Sequence, residues 1–144
     1  MSHSSSPAHR VLLIREWDQQ TTGSGCCGRL EGGDSELAAA ADFTATRVQM
    51  ERMGAVYRAL VAELSRAEVD VQIVDPRNLV FLVPTLIRDA RRHGRSWRDV
   101  LHQLRTGVAQ GTIVVDGRVV ASGEIPPPDQ ATGLVLRALQ PARP

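Results

Sequence analysis

The chain contains no lysine: all 17 of its basic residues are arginine. Arginine's planar guanidinium suits bidentate anion binding, but 16 acidic residues leave a formal net charge of only +1. That balance excludes a whole-chain attraction to nucleic acid or to an acidic surface. Aromatic side chains are scarce, with two Trp, one Tyr and two Phe. So few cannot build a stacking platform for single strands, and no nucleic-acid partner is expected. Long apolar runs are missing as well. Leu79 to Val83 falls far short of the roughly 20 residues that cross a bilayer, so no membrane partner is expected. Met1 to Arg10 lacks the apolar core of a secretory signal. Together these absences favour the cytoplasm, where thiols stay reduced. Paired carboxylates at catalytic spacing, a Ser-His-Asp set and a Walker loop are not evident, so hydrolase chemistry has no support.

What is present reads as one domain. At 144 residues, 42% of them apolar, the chain is long enough to bury a real core. Residues 1–9 read as a flexible tail, 10–140 as the domain and 141–144 as a second tail. Val11-Leu-Leu-Ile14 predicts a buried strand over 10–17. Residues 18–35 are rich in Gly, Ser, Thr, Gln and Asp, and a loop of that length is typically functional or disordered. Met50, Met53, Val56, Tyr57, Leu60, Val61 and Leu64 then recur at i, i+3, i+4 spacing. They predict an amphipathic helix over about 44–66, with an earlier start near Asp34 or Ser35 and a break around Asp42-Phe43. Val69 to Val74 alternates like a second strand.

Asn78 can cap a helix over 79–92 that contains Pro84 and stops at Gly94. Ser96 and Asp99 have capping-box spacing, ahead of a helix that Gly107 closes. Asp116-Gly117 between two β-branched runs specifies a two-residue hairpin. Pro126 to Pro128 introduces a last helix whose Leu134, Val135, Ala138 and Leu139 face inward. Strands 1 and 2, joined by a helix, should be parallel with a right-handed crossover. The hairpin must then extend the same sheet, since two strands alone are marginal.

The only cysteines, Cys26 and Cys27, stand side by side in Gly23-Ser-Gly-Cys-Cys-Gly28. Several readings of this stretch stay open. Adjacent Cα atoms lie about 3.8 Å apart, whereas relaxed disulfides prefer roughly 4.4–6.8 Å. A bond between the two sulfurs would be strained and easily reduced, as a redox switch requires. Alternatively one cysteine reacts alone, its thiolate favoured by the nearby Arg29. Gly25 and Gly28 would permit a turn whose N–H groups face the sulfur. Two thiolates also suit a soft ion, although structural zinc takes four ligands and no histidine stands at ligand spacing to them. The plain alternative is a small buried apolar pair. The same stretch satisfies G-x-G-x-x-G, but Asp18 to Thr22 intervene after the strand and no helix opens at its end, so no nucleotide cofactor is assigned.

The order of elements, the cysteines between first strand and first helix, and a terminal hairpin followed by a helix together resemble the thioredoxin fold. The resemblance spans roughly residues 10–140. It implies an α/β, thioredoxin-like architecture: a four-stranded mixed sheet in the order 2-1-3-4, flanked by helices. The cysteine pair and the Val-Val-Asp-Gly hairpin are similar, more loosely, to the thioredoxin-like arsenic metallochaperones. Thioredoxins carry Cys-x-x-Cys and a cis-proline before the third strand; here Cys26 and Cys27 adjoin, and Gln110-Gly-Thr112 holds the proline's place.

On this reading Cys26 is the nucleophile and Cys27 resolves or supports it. A thiol or disulfide is the substrate, and no cofactor or resident metal is named. Soft-metal binding through the same sulfurs and a non-catalytic homodimeric interaction domain are the alternatives. Trp17 and Asp18, at the end of the first strand, could wall a pocket beside the cysteines; Trp17 could equally be a core residue. Trp97 is expected to pack as a staple under its helix. Arg88, Arg91, Arg92, Arg95 and Arg98 crowd one stretch, read as a solvated helix face or an anion site. His3 and His9 fall in the tail, and His93 and His102 read as surface residues.

Overall fold

A computed structural model of the chain describes residues 8–15, 34–65, 68–107 and 111–140. The order is β1 (His9–Ile14), α1 (Asp34–Leu64), β2 (Val69–Val74), α2 (Leu79–Arg92), α3 (Trp97–Gly107), β3 (Thr112–Val115), β4 (Arg118–Ala121) and α4 (Pro128–Leu139). The four strands form one mixed sheet ordered β2-β1-β3-β4. β1 runs parallel to β2, with Ile14 beside Val74, and antiparallel to β3, with Ile14 beside Thr112. β4 returns antiparallel to β3, and a bulge interrupts the pairing between Ile113 and Val114. The architecture is α/β in the expected strand order. Among the described residues no helix is long and apolar enough to cross a membrane.

β1 is central because its residues 11–14 are apolar without alternation. All four are buried, as a strand covered on both faces requires. Val11 and Leu13 pack with Met53, Val56 and Leu60 of α1, Ile113 and Val115 of β3, and Val135 of α4. Leu12 and Ile14 point the other way, onto Leu82 and Leu86 of α2, with Leu104 of α3 at the margin. The period of two along β1 thus feeds two helix layers from one strand.

Sequence features account for most boundaries. Asn78 Oδ1 accepts from the Phe81 N–H at 3.3 Å at the start of α2, satisfying a donor that has no partner within the helix. Pro84 sits inside α2 without ending it. Ser96 Oγ accepts from the Asp99 N–H at 3.3 Å and donates to the Asp99 carboxylate at 2.6 Å. Asp116 (φ 49°) and Gly117 (φ 75°) both have positive φ, as a two-residue primed turn demands. At the edge strand, Gln103 Oε1 of α3 accepts from the Val119 N–H at 2.6 Å.

Five expectations need correction. His9 is not tail but the first residue of β1, held by its N–H donating to the Glu68 carbonyl at 3.2 Å. β1 ends at Ile14, three residues before Trp17, because its pairing with β2 and β3 ends there. α1 runs unbroken past Asp42-Phe43. Val61 is 41% exposed, since the buried stripe runs through Met53, Val56, Leu60 and Leu64. Trp97 is 59% exposed rather than packed under its helix, and Val100 is the apolar residue of α3 that is buried.

Candidate functional site

The sheet has two ends with different chemistry. At the carboxyl end of β1, the Arg15 N–H donates to the Val74 carbonyl at 3.0 Å and the Gly111 N–H donates to the Ile14 carbonyl at 2.9 Å. The chain therefore leaves β1 from between β2 and β3. Gly111 has φ +69°, and a Cβ there would lie 2.6 Å from the Gly123 carbonyl oxygen. Only glycine fits that approach. At the same end, the end of β2 and the start of α2 border a cleft of about 690 Å³, lined by Gln72, Val74, Asp75, Asn78 and Phe81 among others. The Asp75 carboxylate accepts from Arg77 Nε at 3.0 Å, from a terminal guanidinium nitrogen at 2.8 Å and from the Arg77 N–H at 2.8 Å. These bonds hold the turn into α2.

Every residue the sequence singles out for the site falls on the connection between β1 and α1. Trp17, Asp18, Gly25, Cys26, Cys27, Gly28 and Arg29 lie outside the described residues. The arginine-rich stretch does not form one helix face. α2 ends at Arg92 and the backbone reverses at Gly94 (φ +68°), so Arg95 and Arg98 lie beyond it.

The opposite end holds a cluster that sequence reasoning misses. His9 from β1, His93 just after α2, and Asp116 from the β3–β4 turn converge, with one ligand atom of each within 4.8 Å of the others. His9 Nδ1 donates to Asp116 Oδ2 at 2.8 Å, and His93 Nε2 lies 3.4 Å from Asp116 Oδ1. The two imidazoles stack, with centroids 5.7 Å apart and planes 20° from parallel.

The carboxylate is fixed by a swap at the end of the β1–β3 ladder. The Asp116 N–H donates to the Arg10 carbonyl at 2.9 Å. The Arg10 N–H donates to Asp116 Oδ1 at 2.8 Å, the side chain standing in for a backbone carbonyl. Gly117 presses this turn onto α2: a Cβ there would lie 2.7 Å from the Ala90 nitrogen.

Behind the cluster, the Arg10 guanidinium reaches Asp89 at 3.3 Å and Asp70 at 3.7 Å. Burial pushes the Asp89 carboxyl above its usual value, against the pull of Arg10 and Arg88. Burial, helped by Arg118, draws the Arg95 guanidinium below its usual value, while Asp116 and Asp99 oppose the shift. Two imidazoles and a carboxylate are a donor set for a divalent ion. Comparison with protein-family models, with curated proteins and with solved structures returned no match.

Proposed function

We propose that the chain is a thioredoxin-like protein performing thiol–disulfide exchange through Cys26 and Cys27 in a reducing compartment, the cytoplasm. One observation carries this reading. The cysteine-bearing connection leaves the carboxyl end of the central strand, where the sheet order reverses, β2 lying to one side and β3 to the other. Open α/β sheets place their ligand sites at that crevice. The cleft at Asp75 and Phe81 opens at the same end and offers room for a substrate.

In the reaction, the Cys26 thiolate attacks one sulfur of a substrate disulfide and expels the other as a thiolate. The Cys27 thiolate then attacks the Cys26 sulfur and releases the second substrate sulfur. The substrate gains two electrons and, at neutral pH, the two protons the cysteines gave up. The protein is left with a strained Cys26–Cys27 bond.

Alkylation of the two thiols across pH tests this. At least one cysteine should react with a midpoint below the roughly 8.5 of a free thiol, and mild oxidation should remove both thiols reversibly. Two ordinary or unreactive thiols would defeat the proposal. Stoichiometric retention of arsenite or copper(I) by the reduced protein would point instead to carriage of a soft ion.

Exposed apolar side chains favour a second reading, a homodimeric interaction domain. Leu79 and Val80 of α2 and Trp97 and Leu101 of α3 are all exposed, Val80 at 89%. Sedimentation at several concentrations checks this reading, which a monomer throughout would remove.

A further inference from the structure

We infer that His9, His93 and Asp116 form a binding site for a divalent transition-metal ion of the zinc class, at the end of the sheet opposite the one from which the β1–α1 connection leaves. Neutral imidazole nitrogen and carboxylate oxygen are the donors borderline ions prefer. Tetrahedral zinc with bonds of about 2.0–2.1 Å sets its donors roughly 3.3 Å apart. His93 Nε2 and Asp116 Oδ1 already stand 3.4 Å apart, and His9 Nδ1 and Asp116 Oδ2 stand 2.8 Å apart. The three ligand atoms lie within 4.8 Å of one another, so side-chain shifts of about an ångström, with the His9 proton passing from Nδ1 to Nε2 through solvent, would admit the ion.

The donors are held before any ion arrives. Each is anchored through its own backbone: His9 to the Glu68 carbonyl, His93 to the Asp89 carbonyl at 3.1 Å, and Asp116 to the Arg10 carbonyl. The carboxylate has a supporting hydrogen bond from the Arg10 N–H, the outer contact that orients a metal-binding carboxylate. Asp116 is 7% exposed, whereas the His9 and His93 side chains are 37% and 27% exposed. The anion is thus fixed in the protein and the imidazoles border the solvent from which an ion enters. Asp89 and Asp70 compensate the Arg10 charge. Arg95, which interacts with Asp116, is an opposing cation.

The test uses the full chain carrying Cys26→Ser and Cys27→Ser, so that thiolates cannot supply the signal. Zinc is titrated against a chromophoric chelator, and cobalt(II) is followed by its visible absorption. One equivalent of zinc should bind, and cobalt should give the intense bands of a four- or five-coordinate ion. Asp116→Asn keeps an acceptor for the Arg10 N–H and tolerates positive φ, and it should weaken zinc binding by about tenfold or more. His93→Gln should do the same, His102→Ala should change nothing, and Arg95→Ala should tighten binding by removing a like charge. Retained far-ultraviolet dichroism separates loss of the site from loss of the fold. Failure to bind zinc, or equal binding by the parent, Asp116→Asn and His93→Gln proteins, would overturn the inference and leave a hydrogen-bonded tie.

Discussion

The two ends of the sheet assemble their chemistry in opposite ways. The connection that leaves the carboxyl end of β1 carries the pair proposed to react, Cys26 next to Cys27 in the chain. At the other end, His9, His93 and Asp116 are far apart in the chain and meet only because β1, α2 and the β3–β4 turn converge. A local motif survives in any sequence reading. A convergent one depends on register, on the hand of a turn and on where a helix stops. The convergent site should therefore come apart with its framework, whereas the adjacency of the two cysteines in the chain does not depend on it.

The sharpest way to strain this contrast is at two glycines, one at each end. Gly117→Ala combines a left-handed backbone with a Cβ 2.7 Å from the Ala90 nitrogen. It should cost roughly 2–5 kcal/mol in urea unfolding, from about 1–2 for the backbone and 1–3 for the overlap. A loss under about 1 kcal/mol would show that the turn is not pressed onto α2. Gly111→Ala meets the Gly123 carbonyl at 2.6 Å and should cost a comparable amount. The two differ in reach. Gly111→Ala should change the alkylation rates of Cys26 and Cys27, and Gly117→Ala should leave them near the parent values; equal effects would break the separation of the ends.

A milder probe is the cap beside the cleft. Asn78→Ala removes the acceptor for the Phe81 N–H and should cost about 1 kcal/mol, measured by thermal or urea unfolding. An unchanged midpoint would mean that solvent replaces the bond.

The smallest effect is in pH dependence, behind the histidine cluster. Because burial raises the Asp89 carboxyl above the unfolded value of 3.8, its contribution to stability is fully present below that pH. It is lost as pH rises through the raised folded value. Asp89→Asn does not titrate. The stability of the parent relative to Asp89→Asn should therefore fall as pH rises from the usual carboxylate range through the raised folded value, measured by urea unfolding with a chelator present. A relative gain for the parent would mean that the pull of Arg10 and Arg88 outweighs burial.

The architecture was legible because each local signal agreed with the next. The unbroken run Val11 to Ile14 marked a doubly covered strand, Asn78 and Gly94 bracketed α2, and Asp116-Gly117 marked the hairpin. The reading of α1 was less complete, since helical period alone could not separate half-exposed Val61 from buried Leu60. Trp97 misled because a tryptophan after a cap suggests packing, and here it faces water. The histidine cluster escaped for a physical reason. His9 precedes the apolar run and carries no periodic signal of its own. Asp116 looked fully explained by its turn, although its side chain also completes the β1–β3 ladder. Only the pairing of Val11 with Val115 brings Asp116 to the start of β1.

Gln103 lends the outer strand β4 a borrowed acceptor at Val119. A free donor on an outer strand invites a neighbouring chain to zip on; this one is already engaged by a helix of its own fold. Any copy adding a strand beside β4 would first have to evict that amide, so the outer rim of the hairpin is guarded at that position.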